Sequence, residues 1–176
     1  MKMNNMAIVM AGLILSTAAQ ASNTIQFQGE VADQTCDVTI NGQASAPLVL
    51  LPTVPSSSLA NAGETTGQTP FTVGVSGCTA SASVTAIKTV FVGNNLTASG
   101  RMGNTASVDN NVSLQLVDPA VPATPLDLTG QTGAAGLSLA ANATSASHTF
   151  AVQYYAEGTA LPGAVLGSVQ YSVSYQ

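Results

Sequence analysis

The stretch from Asn23 to Asp37 reads NTIQFQGEVADQTCD. Its apolar residues Ile25, Phe27 and Val31, with Gly29 among them, fall on odd positions, the period-two pattern of a β-strand that buries one face. Past Asp33 the parity changes, because Cys36, Val38 and Ile40 are even. A strand cannot move its side chains to the other face without a bulge or a break. Ala32 to Thr35 is therefore the junction between an N-terminal arm and a folded domain. The first residues of an exported domain are ordinarily frayed and polar unless something ties them down. An apolar strand in that position either pairs within its own domain or is built to be donated.

Ahead of the arm, residues 1–21 carry Lys2, the apolar run MAIVMAGLILSTAA and then Ala19, Gln20 and Ala21. These fit the charged start, apolar centre and small-residue cleavage site of a secretory signal peptide, with Ser22 as the expected mature N-terminus. No later run approaches about 20 apolar residues, so stable membrane insertion is not expected. The 155 residues left after cleavage suit one domain, divided here into an arm over 22–33 and a body over 34–176. Without Lys2 the formal charge moves from −5 to −6, with Lys88 and Arg101 as the remaining cations. Such a surface argues against nucleic acid and anionic lipid as partners. A hydrophobic fraction of 45% is too high for a disordered acidic chain.

Two cysteines in an exported chain most economically form one disulfide. Cys36 joined to Cys78 closes a loop of about 40 residues, for which chain entropy suggests on the order of 4 kcal/mol of stabilisation.

Alternation marks the body as well. Asn41 and Gly42 form a tight-turn signal after the first strand. APLVLLPTVP, with Pro47, Pro52 and Pro55, predicts a short edge strand, since proline cannot donate to a central ladder. SSSLANAG predicts one helical turn capped by Ser56 or Ser57, and Gly63 to Pro70 a polar loop. Phe71, Val73 and Val75 alternate towards Cys78. Val84 to Val92 is apolar on both faces and predicts a central strand. A long loop over 93–111 follows, then a strand at Val112, Leu114 and Leu116. Leu126 with Leu128 and Leu137 with Leu139 suggest two short strands, and Phe150, Val152 and Tyr154 another. The last run places Val165, Gly167, Val169, Tyr171, Val173 and Tyr175 on odd positions. Seven to nine short strands without a long helix indicate an all-β sandwich.

Catalytic readings find little support. His148 is the single histidine, so nucleophilic triad chemistry would rest on it, and beside HTFAVQYY it reads as a surface or strand-end residue. Asp33 with Asp37, or Asp109 with Asn110 and Asn111, lack the ligand spacing of a calcium loop and read as solvated loop groups. No phosphate-loop or zinc spacing is present, so no cofactor or metal is expected.

The TIQFQGEV arm, the Cys36 and Cys78 pair, LPTV followed by SSSLANAGETTGQTPFTVGVSGC, and the C-terminal strand together resemble a structural, major-pilin-like subunit of chaperone-usher fimbriae of the type 1 family. Gly163 stands fourteenth from the end and Tyr175 second, similar to that family's C-terminal chaperone-recognition pattern. The resemblance covers essentially the whole chain. It implies an incomplete immunoglobulin-like β-sandwich lacking its last strand and completed by donor-strand exchange. Ile25, Phe27, Gly29 and Val31 would be the donor strand. Gly163, Val165, Val169, Tyr171, Val173 and Tyr175 would be the groove strand first met by a periplasmic chaperone, which would hold the Gln176 carboxylate. Implied partners are identical or related pilins, that chaperone and an outer-membrane usher, with the fimbrium on the bacterial surface. Only Ser22, Asn23 and Thr24 precede Ile25, which keeps a minor or terminating pilin open. The other alternative is a secreted sandwich adhesin or binding protein.

Overall fold

Strands form where β-branched and aromatic residues alternate with small polar ones, because such side chains pack well on a pleated, half-buried surface. In the computed structural model, which describes residues 36–106 and 109–176, eight strands do so. They are β1 Asp37–Ile40, β2 Thr65–Ser76, β3 Thr85–Gly93, β4 Met102–Gly103, β5 Val112–Val117, β6 Ala134–Leu139, β7 Ala146–Ala156 and β8 Val169–Tyr175. All pairings are antiparallel. One sheet has the order β1-β2-β7-β5-β4 and the other β6-β3-β8. The signal segment, the arm and its residues Ile25, Phe27, Gly29 and Val31 lie outside the described residues.

The two sheets meet through aromatic rings. Phe71 of β2 and Phe150 of β7 come from the larger sheet and Phe91 of β3 from the smaller, with centroids 5.4 to 6.2 Å apart. Phe91 meets both partners edge-on, the arrangement that places a positive ring edge on a negative face. Val73, Ile87, Leu114, Leu116, Leu137 and Leu139 extend the same core. Cys36 and Cys78 are joined, with Cα atoms 4.5 Å apart. The β1–β2 register, Asp37 opposite Ser76 and Ile40 opposite Val73, brings the two cysteines to the same end.

Several expectations hold at the level of single residues. Asn41 and Gly42 both have positive φ, 51° and 78°, and the turn closes with paired bonds between Ile40 and Gln43. The stretch 93–111 is loop only in part, since β3 runs to Gly93 and β4 pairs with β5 within it; beside β4 the Arg101 guanidinium lies 3.5 Å over the Tyr155 ring and 4.0 Å from Glu157.

Others are corrected. The Gly63 to Pro70 stretch is not a loop, because β2 starts at Thr65 and its polar residues pair with Tyr154 and Tyr155. Polarity misleads there, since β1 reaches only to Val73 and leaves the other edge of this half of β2 uncovered. A register shift between Thr66 and Thr69 accommodates Gly67, whose φ of 68° and contact with Tyr154 exclude a side chain. The Pro47 to Leu51 segment joins no ladder, although Val49 and Leu51 pack against the core. The helical turn is a 3-10 turn over Ser56–Leu59 whose cap position is Pro55, with no side-chain cap bond. Leu126 and Leu128 lie outside any strand, next to isolated bridges at Pro125 and Thr129. β3 is central to its sheet as expected, yet its burial alternates, and Val84 and Val92 are exposed. β8 begins only at Val169, leaving 163–168 outside the sheet.

Thr89 of β3 is fully buried and its hydroxyl has no partner among the described residues. A buried hydroxyl without a bond loses its hydration and gains nothing in return. Thr89→Val keeps the shape and should raise stability by about 1 kcal/mol, read as a higher urea midpoint with unchanged slope.

Candidate functional site

β8 is an edge strand, with β3 on one side and no described strand on the other. Its ladder fixes which backbone groups are free. In an antiparallel pair, alternate residues exchange both of their backbone bonds with the partner strand. Gln176 donates its N–H to the Ala86 carbonyl and Ser168 accepts from Asn94 N–H, so the even residues of this stretch bond towards β3. The odd residues Val169, Tyr171 and Val173 direct their N–H and C=O groups at the open edge. The same odd residues, with Tyr175, turn their side chains inward and pack against the core.

Beside this edge lies an apolar cleft of about 210 Å³. One wall is Gly167 to Val169 and Tyr171, and the other is Pro47, Leu48, Val49 and Leu51. Its floor is the inner face of the larger sheet, with Phe71, Leu114, Leu116 and Val152, together with Phe91. A second cleft of about 350 Å³ is lined by Thr53, Val54 and Ser56 on one side and by 160–165 on the other, over Leu59 and Val112. The wall segments are consecutive in sequence, so the clefts lie end to end as one groove between 47–56 and 163–171. Tyr154, whose hydroxyl donates to the Pro52 carbonyl at 3.1 Å, ties the outer wall to β7. Burial raises the Tyr154 pKa above its ordinary value.

Of the C-terminal site residues predicted from sequence, Gly163, Val165, Val169 and Tyr171 line the groove, while Val173 and Tyr175 continue the same strand beyond it. Val169, Tyr171, Val173 and Tyr175 stand in β8, half-buried, and Gly163 and Val165 precede it. A Cβ on Gly163 would come within 3.3 Å of the Asn110 amide, and one on Gly167 within 3.0 Å of Leu114. Tyr175 has a contact not foreseen: its hydroxyl accepts the Cys36 backbone N–H at 3.0 Å, fastening the C-terminal strand to the disulfide just ahead of β1. The opposite wall and the floor escaped sequence reading. Val49 and Leu51 sit in an uninterrupted apolar run, Leu48 to Leu51, that does not single them out, and Met102 and Leu114 reach the groove only through tertiary packing.

The polar candidates resolve into structure. His148 lies within β7, with Nε2 3.0 Å from Asp118 Oδ2 and its ring edge-on to Phe150. The backbone N–H of Ala120, and then His148, hold the Asp118 carboxyl below its ordinary value against the opposing effect of burial. Asp109 accepts from the backbone N–H of Asn111, and no cluster able to hold a metal occurs among the described residues.

An antiparallel two-sheet sandwich with a free edge and an apolar groove beside it is an incomplete immunoglobulin-like domain of the kind found in pilins. Residues 25–176 match the family model described as "Fimbrial protein", and the chain belongs to that family. It is 36% identical over 176 residues to the F17 fimbrial protein of Escherichia coli, covering 96% of this chain and 95% of that one. It is 33% identical over 166 residues to the major fimbrial subunit SMF-1 of Stenotrophomonas maltophilia strain K279a, covering 90% and 95%. A solved chaperone-usher pilus, described in connection with rod uncoiling, shares the fold with a TM-score of 0.60 and 13% identity, covering 92% of this chain and 99% of that one.

A lowered carboxyl pKa stabilises the fold above the unfolded value, near about 3.9, and that contribution is lost as pH falls through the lower folded value. Asp118→Asn should therefore lower stability at neutral pH and flatten the acid limb of the stability profile, so that its difference from the unsubstituted protein shrinks as pH falls below about 4. Urea midpoints measured from pH 2 to 7 check this. Gly167→Val should obstruct the groove, expected as a loss of strand binding measured by the peptide titration described next.

Proposed function

We propose that this fimbrial protein polymerises by donor-strand exchange, with the arm over 22–33 of one subunit filling the groove of the next. The observation that carries the proposal is the coincidence, along β8, of an unoccupied backbone edge and an apolar groove. Strand addition uses main-chain bonds for affinity and alternate side chains for register. The arm's odd-numbered Ile25, Phe27 and Val31 have the period needed to fill such a groove, at about 1.5 to 3 kcal/mol each before ordering costs. Gly29 suits a point where the floor rises close to the arm backbone.

An unfilled groove exposes core and strand edge together, a surface prone to aggregation. A periplasmic chaperone that supplies a temporary strand to β8, through Val165, Val169, Tyr171, Val173 and Tyr175, meets that need, and an outer-membrane usher then exchanges it for an arm. The signal segment over 1–21 directs export, and the assembled product stands on the cell surface. No helix among the described residues is long and apolar enough to cross a membrane, which accords with a subunit held by its neighbours. The relatives' names describe fimbrial subunits and point to a structural role without catalysis.

The body over 34–176, oxidised and refolded, should show a saturable rise in melting temperature with a synthetic peptide of residues 22–33. The same peptide carrying Phe27→Asp should give almost none. A body already stable, and unmoved by either peptide, would overturn the proposal. In cells, Phe27→Asp should block polymerisation while leaving the chaperone complex intact.

A further inference from the structure

The inner wall of the groove is held in two different ways. From Val169 to Tyr175 it is a strand of the smaller sheet, laddered to β3. From Gly163 to Ser168 it is in neither sheet, and what holds it is side-chain amides from the connection between β4 and β5, in the opposite sheet. Asn104 donates Nδ2 to the Ala164 carbonyl at 2.9 Å and accepts the Leu166 N–H through Oδ1 at 2.9 Å. Its backbone neighbour Thr105 donates N–H to the Leu166 carbonyl at 2.9 Å, and the Thr105 hydroxyl adds a bond to the same oxygen at 3.2 Å. Asn110, only 1% exposed, receives the second Asn104 amide donation at 3.0 Å and reaches the Ala164 carbonyl at 3.4 Å. The Asn110 carbonyl also accepts from Leu161 N–H.

The bonds made to 163–168 fall on even residues, 164 and 166, which continues the parity of β8. Bonds to even backbone groups turn the odd groups, Val165 and Gly167, towards the groove, in line with Val169, Tyr171 and Val173. A two-amide clamp thus substitutes for a ladder strand over this half of the wall. We propose that Asn104 and Asn110 are positioning residues for strand acceptance: they hold Val165 and Gly167 in extended register so that an incoming strand can bond to them. This rests on the donor-strand reading and adds to it that the two halves of the acceptor edge are separately supported.

The test is position-resolved amide exchange on polymers assembled from the mature chain, residues 22–176. In the wild type, the amides of Val165, Gly167, Tyr171 and Val173 should all be protected. In Asn104→Ala polymers, protection at Val165 and Gly167 should fall by roughly tenfold or more while Tyr171 and Val173 keep theirs. Should Asn104→Ala yield no polymer, Asn104→Asp retains the shape and the accepted bonds while setting a carboxylate oxygen against the Ala164 and Asn110 oxygens, and the same selective loss is expected. Equal loss at all four amides would reduce Asn104 to a general stabiliser and overturn the proposal, as would no loss anywhere. Wild-type polymers lacking protection at Tyr171 and Val173 would instead sink donor-strand exchange itself.

Discussion

Among the described residues five strands pack on three, an unequal sandwich. Strands lie about 4.8 Å apart, so the narrower sheet leaves a strip of the broader one without a facing layer. Phe71, Leu114, Leu116 and Val152 lie on that strip, and the groove is simply their uncovered surface. The phenylalanine cluster joins the sheets along the margin of that strip, where Phe71 and Phe91 also line the groove. The covering stops at the edge of β8 beside which no described strand lies. A further strand placed there would complete both the backbone ladder and the core.

That edge presents two orthogonal alternations on one stretch of chain. Side chains of odd residues point into the core, and backbone groups of the same residues point along the sheet to the open edge. A ligand strand is therefore met by hydrogen-bonding groups at its side and by apolar surface beneath. The first selects an extended backbone and the second an apolar residue at every other position. Because the side-chain period is two, slippage by one residue would turn an incoming strand's apolar set away from the floor.

How much was legible in the chain divides along physical lines. Alternation located β1, β5, β7 and the odd face of β8, because apolar side chains recur there at every other position, even though β5 is buried on both faces. It failed where burial and pairing come apart. Thr65 to Pro70 pairs without apolar alternation, and Val49 and Leu51 pack on the core without pairing. The two cysteines announced their bond through their number and the exported setting, and β1 then supplied the register. The groove's C-terminal wall could be read because it is contiguous in sequence. Its floor could not, since Met102, Leu114 and Val152 converge from separate strands, and the Asn104 and Asn110 clamp has no local pattern to betray it.

The bond between Cys36 and Cys78 acquires a mechanical sense in a fibre of linked subunits. Under the proposed arm donation, tension along such a chain would enter each body next to Cys36, and β1 beyond it has only four residues of ladder to resist being peeled away. The disulfide diverts the load past that short ladder directly to the end of β2, a twelve-residue strand bonded to β7. The Tyr175 hydroxyl offers a parallel, weaker path from the same point to β8. Pulling is thus shared by both sheets of the sandwich, and the covalent link sits where a hydrogen-bonded attachment would be first to give way.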